Sequence, residues 1–191
     1  MACVMMLGVA VGGSLAWLTA TADEVKNTFT ESNITITLKE TLPESGVREF
    51  EMIPGHTISK DPSVSVDKGS ESCWLFIKVV ESTTPDLDSY ISYAIAGGWT
   101  EVQDETTNND DIKIYARKVM ADDTTRSFAI LEGNQVTVPN TVNKALMDAL
   151  AGNVAQPTLA FDAAAVQLYE SNGVEFTASN ALKNVAWRNI T

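Results

Sequence analysis

Histidine and cysteine are nearly absent from this chain, with one His and two Cys among 191 residues. A zinc site would therefore need several carboxylate ligands, and no His-Glu-x-x-His pair is present. The sequence also lacks a Gly-x-Ser-x-Gly elbow, a phosphate-cradling glycine loop and a Cys-x-x-Cys pair. Ser-His-Asp catalysis would rest on His56 alone, which follows the turn dipeptide Pro54-Gly55 and reads as a solvent-facing turn residue. Positive charge is scarce as well: 13 Lys and Arg stand against 25 Asp and Glu, for a formal net charge of −12. Nucleic-acid binding draws its affinity largely from basic side chains on phosphates, so no nucleic-acid partner is expected.

The charge is unevenly distributed. Residues 2–18 (ACVMMLGVAVGGSLAWL) carry no ionisable side chain except the thiol of Cys3. This run is at the short edge of what spans a bilayer as a helix, and Gly8, Gly12 and Gly13 make it a poor permanent anchor. Ala20-Thr21-Ala22 is a small-x-small cleavage signature, and Asp23-Glu24 opens a polar chain directly after it. Residues 1–22 thus read as a signal peptide, with Ala20, Ala22 and Asp23 marking cleavage. Membrane contact is expected only through this uncleaved segment. A basic n-region is missing, because only Met1 precedes the apolar run, so a late-assigned start or a truncation is expected. Residues 23–191 then form one exported domain, secreted or displayed at the cell surface. Cys3 leaves with the leader, and Cys73 remains as a lone thiol inside the apolar stretch Cys73–Ile77, where a buried, inert role is expected.

Along the mature chain the dominant period is two. Ile34, Ile36 and Leu38 alternate with polar residues, as do Val64 and Val66. Cys73–Val80 begins apolar on both faces, which places it centrally in a sheet. Ile91, Tyr93 and Ile95 predict a strand ended by Gly97-Gly98. Residues 99–102 and 112–117 flank the acidic stretch Asp104–Asp111 as a hairpin. Residues 128–131 and 136–138 surround the turn dipeptide Gly133-Asn134. In residues 158–169 the apolar phase changes around Ala163–Ala165, which predicts a bulge. Pro139-Asn140-Thr141 followed by Val142, Leu146, Met147 and Leu150, with Gly152 past the end, predicts a capped helix of about three turns. Residues 177–186 predict a weaker one. Roughly nine short strands indicate an all-β fold, a two-sheet antiparallel sandwich with one or two short helices in its connections.

Carboxylates are the remaining chemical resource. No cofactor is expected; calcium is the alternative for Asp104–Asp111, although that loop lacks the ligand spacing and glycine of an EF-hand and reads better as a solvated tip. Asp86 with Asp88, and Asp122 with Asp123, read as loop residues. Asn33 and Asn189 head glycosylation sequons, relevant only in a eukaryotic secretory route. A sandwich also presents unpaired backbone at its sheet edges, a template for a strand from another chain. Signal cleavage would free Asp23–Leu38, whose apolar side chains Val25, Phe29, Ile34 and Ile36 suit such pairing; pairing within its own domain is the alternative.

Gly12–Thr19 (GGSLAWLT) followed by Glu24–Thr30 (EVKNTFT) resembles the signal-and-start region of the TasA and camelysin-like secreted proteins of Gram-positive bacteria, which a SipW-type signal peptidase processes. Phe50–Gly55, Lys60–Pro62, Val64–Val66 and Glu71–Val79 are similar to that family's central block, and Gly98–Val102 and Ala165–Gln167 to later landmarks. The resemblance implies a jelly-roll-like sandwich and a non-enzymatic role as a subunit of cell-surface or biofilm-matrix fibres. It further implies a signal peptidase as partner during export, and self-association in which Asp23–Leu38 of one subunit completes the next subunit's sheet. Two departures stand out: the basic n-region is absent, and Ala20 stands where the family usually has an acidic residue. The camelysin branch is described as a metalloprotease; no recognisable zinc ligands support that activity here. Two alternatives accompany the fibre reading. One is a secreted metal-dependent peptidase using His56 with Asp61 or Asp67, the other a monomeric adhesin whose acidic loops hold calcium.

Overall fold

The structure, a computed structural model, describes residues 33–41, 52–103, 110–152 and 155–187. Among them, nine strands and two short helices run in the order β1 (Ile36–Lys39), β2 (Thr57–Ser59), β3 (Ser63–Val66), β4 (Cys73–Glu81), β5 (Thr100–Glu101), β6 (Ile112–Val119), β7 (Ser127–Ala129), β8 (Gln135–Thr137), α1 (Lys144–Ala151), β9 (Leu159–Gln167) and α2 (Ala178–Leu182). Every strand pair is antiparallel. The fold is the all-β sandwich expected from the period-two pattern.

One layer has the strand order β5-β6-β4-β9. In the other, β1 pairs with β3 and β3 with β7, while β2 pairs with β8. These pieces form one sheet. Lys60 N–H donates to Asn134 O and Ile130 N–H to Pro62 O, so residues 57–66 run as one kinked strand beside residues 127–137. Bridges Ser92↔Thr137 and Ile95↔Leu131 place residues 92–96 along the far side. The chain changes layer after β3, after β6 and after β8, which keeps the sandwich's halves interlocked.

Alternation accounts for the core. Val64, Val66, Phe128 and Ile130 from one sheet meet Cys73, Leu75, Ile77 and Val119 from the other, all buried. A second cluster closes one end of the sandwich, where Leu150 of α1 packs with Leu87, Ile91, Leu131, Val136 and Val138. β4 is central and covered on both sides, as its doubly apolar start predicts. Its outward Phe76 is fully buried beneath Ala181 and Leu182 of α2. Trp74 Nε1 also donates to Phe176 O at 2.7 Å.

Several local expectations change. β9 carries no bulge: it keeps one unbroken register with β4, from Cys73↔Gln167 to Glu81↔Leu159. Apolar residues of both phases occur because both faces are covered, Phe161 and Ala165 by the inter-sheet core and Val166 by the α2 layer. Ile91–Ile95 makes two isolated bridges rather than a ladder, since Glu132–Asn134 opposite forms a tight turn, with Gly133 and Asn134 at φ 63° and 53°. α1 is eight residues long, not three turns, because Asn143 caps it by accepting from Leu146 N–H, two residues beyond Thr141. α2 is likewise shorter than expected, a five-residue helix that Thr177 caps by accepting from Asn180 N–H. The β5–β6 hairpin forms with Thr100↔Ala116 and Glu101↔Tyr115; residues 104–109 of its loop lie outside the described residues. No helix among the described residues is long and apolar enough to cross a membrane.

Candidate functional site

The sequence directs attention to the N-terminal segment and to sheet edges. Ala20, Ala22, Asp23, Val25 and Phe29 lie outside the described residues. Ile34 and Ile36 are half-buried and pack onto the inter-sheet core. Ile36 pairs with Val66, so β1 sits in its own domain's sheet. Asp67 N–H donates to Thr35 O, Glu71 N–H to Asn33 O, and Thr35 N–H to the Ser70 hydroxyl. These bonds hold residues 33–35 against the turn that follows β3.

β1 borders one sheet and β9 the other, and the two lie across from each other on the same flank. Among the described residues, β1 is paired only with β3 and β9 only with β4. The hydrogen-bond phase of β9 is settled at both of its ends. Leu168 N–H donates to Ser72 O, and Ser82 N–H to Thr158 O, in the same register as the ladder. Even-numbered residues therefore bond to β4, and the backbone groups of Leu159, Phe161, Ala163, Ala165 and Gln167 face outward. At the middle of this row Ala163 N–H donates to Asp162 Oδ1 at 2.9 Å. Asp162 is the one charged residue in LAFDAAAVQ and is buried, directly opposite Lys78 in the β4 register.

The opposite flank is built differently. Its edge β5 has two residues, and the inward phase of β6 there carries Lys113, Tyr115 and Arg117. Arg117 stacks on Trp99 and Phe128, 5.0 and 4.4 Å from their ring centroids, and donates to Gly97 O. Burial lowers its affinity for its proton. Gly98, at φ +88°, lies so close to this guanidinium that a Cβ would collide with it. Farther along, the buried Glu81 accepts from the Tyr93 hydroxyl and, at 2.9 Å, from Lys113 Nζ. Burial and Glu81 together raise the Tyr93 pKa. For Lys113 burial opposes the charge, but the Glu81 bond and nearby negative charge outweigh it and the net shift is upward.

Candidates for chemistry stay dispersed. His56 is exposed after the Pro54-Gly55 turn, and its backbone is held by Ile53 O and Val138 N–H. Asp67 lies at the other end of the extended stretch 57–66 from His56, and the Asp61 carboxylate accepts from Thr41 N–H. Among the described residues no three His, Cys, Asp or Glu side chains are grouped to hold a metal ion. Asp86 accepts from the Ser89 hydroxyl and Asp123 from Met120 N–H, both as loop staples. Cys73 is buried, and that burial pushes its thiol up to about 11, against the opposing charge of Arg126. A thiol held protonated is a packing group rather than a nucleophile.

The edge of β9 and its aspartate escaped the sequence reading. Strand β9 pairs with β4, some eighty positions earlier, and no local pattern reports such a partner. One signal was visible: a single charge inside an alanine-rich apolar run. No protein-family model, curated protein or solved structure matches the chain.

Proposed function

We propose that this protein is a secreted, non-enzymatic structural subunit of cell-surface or biofilm-matrix fibres, whose copies join when the N-terminal segment of one adds a strand to the sheet of another. The observation that supports this most is the placement of β1. Among the described residues β1 is the first strand and has a single paired neighbour, on the flank where the long edge of β9 also lies. A segment preceding β1 is thus tethered beside sheet edges, where strand addition supplies main-chain hydrogen bonds without any catalytic group. The resemblance of Gly12–Thr30 to TasA and camelysin-like proteins points the same way.

The division of labour within Asp23–Leu38 follows from burial. Ile34 and Ile36 pack in the home sheet, so the donor assigned in this reading is Asp23–Ser32, with Val25 and Phe29. Negative-stain microscopy tests the reading. Filaments are expected from a chain of residues 23–191 and none from one beginning at Asn33, which keeps β1. Filaments from both would refute assembly through this segment, and monomers from both would favour a monomeric adhesin.

A further inference from the structure

We infer that the outer edge of β9 is the surface that receives the strand of a second copy, and that Asp162 acts as a built-in plug on that edge. The inference rests on the strand-addition reading and names the acceptor that the reading leaves open.

Four stretches border the two sheets among the described residues, and they are not equivalent. β5 offers two residues. Residues 92–96 make isolated bridges and run into Gly97-Gly98. β1 offers four residues. Short edges and charges pointing inward beside an edge are the usual means of preventing unwanted strand pairing, and the β5 side has both, in its length and in Arg117 and Lys113. β9 offers nine residues in unbroken register, and four of them are alanine. Its outward row of donors and acceptors can take a partner of about nine residues, since each strand residue advances about 3.3 Å. Residues 23–32 (DEVKNTFTES) supply a segment of that length, and in sequence they precede β1, the strand that lies across from β9.

Asp162 sits at the centre of the row. Its carboxylate takes the Ala163 N–H that an incoming carbonyl would need. A docking strand must therefore displace a charge-assisted hydrogen bond before its own ladder can close through the middle. That makes Asp162 a barrier to casual pairing by unrelated chains, overcome only by a segment that zips along both halves of the edge.

Proline scanning tests the acceptor directly. Ala163 and Gln167 point their N–H groups away from β4, so a proline at either position removes no bond of the β4–β9 ladder, while it deletes a donor that an added strand would use. The full chain and its variants would be followed by sedimentation velocity and by amide hydrogen exchange, at dilution and at associating concentrations. In the unsubstituted chain the Phe161 and Ala165 amides, which Asp162 does not engage, are expected to become protected as copies associate. Gln167→Pro is expected to weaken association at least about tenfold with an unchanged thermal midpoint, and Ala163→Pro to weaken it as much with a midpoint lowered by the lost Asp162 bond. Asp162→Ala is expected to speed association, and Asp162→Asn, which keeps an acceptor oxygen, to do so less. Should Ala163→Pro lose its midpoint, Gln167→Pro decides.

The outcomes separate the two claims. Undiminished association in folded Ala163→Pro and Gln167→Pro, abolished by starting the chain at Asn33, would overturn the β9 acceptor and leave strand addition standing. Association lost in the proline variants but kept by the chain begun at Asn33 would uphold β9 and reject the N-terminal donor. Protection of the Phe161 and Ala165 amides that does not depend on concentration would mean the chain covers its own edge, which overturns the inference. Absence of any association would reject both.

Discussion

Glu81 and Asp162 are the carboxylates buried among the described residues, and each is held by specific donors. Glu81→Ala would leave the half-buried Tyr93 hydroxyl and the Lys113 ammonium without their shared acceptor. Breaking one member of such a network typically costs about 3 kcal/mol, and partial exposure of Lys113 keeps the figure at the low end. A denaturant midpoint shift with unchanged slope would register it. The same cluster sets a pH dependence. An unfolded tyrosine releases its proton near 10.0, whereas burial and Glu81 make folded Tyr93 hold on beyond that point. Above that pH the folded state binds more protons than the unfolded one, so the stability this group contributes is present below pH 10 and lost as pH rises. Lys113, also raised, has the same sign. Tyr93→Phe is expected to flatten the alkaline loss by up to about 1.4 kcal/mol per pH unit, read from denaturation curves on either side of pH 10. Gly98→Ala, which forces a side chain into a positive φ and against Arg117, should cost about 1–3 kcal/mol by the same measurement.

At the scale of elements, what could be read in advance was what depends on neighbours in sequence. β3 and β4 follow from strict alternation and from an apolar run too dense for one face. The β5–β6 hairpin follows from two strands around a polar loop. α1 and α2 were visible, but their starts were set by which side chain, Asn143 or Thr177, reaches back to a free N–H. What was not visible is long-range. The supposed bulge at Ala163–Ala165 arose from reading two covered faces as a change of phase, and the pattern carries no sign that α2 returns to cover the outer face of β4. That cover has a measurable consequence. Phe76 points away from the sandwich interior and would be exposed in a two-layer protein; here it is fully buried. Phe76→Ala is therefore expected to cost about 3–5 kcal/mol, comparable to a mutation between the sheets. A cost under about 1 kcal/mol, the range of a surface change, would mean that α2 does not hold that face.

For the whole molecule the governing quantity is charge. None of the first 22 residues carries Asp, Glu, Lys or Arg, so residues 23–191 hold the full −12 and copies of them repel one another. The charges that the proposed edge pairing would bring together are mostly of one sign, with Asp23, Glu24 and Glu31 against Lys26 on the donor and Asp162 beside the edge, so repulsion between subunits opposes assembly while the main-chain hydrogen bonds of the contact do not depend on charge. Salt screens the first and leaves the second nearly untouched: the Debye length shrinks from about 30 Å at 0.01 M to about 3 Å at 1 M. Association is accordingly expected to strengthen as sodium chloride is raised through that range, and to strengthen further as pH falls toward the isoelectric point of about 4.4. The sign discriminates between mechanisms. Assembly through complementary ion pairs would weaken with salt, as binding to nucleic acid does. Sedimentation velocity at low and high salt reads the difference directly. A falling association constant would place the contact on charged surface rather than on the alanine-rich edge of β9.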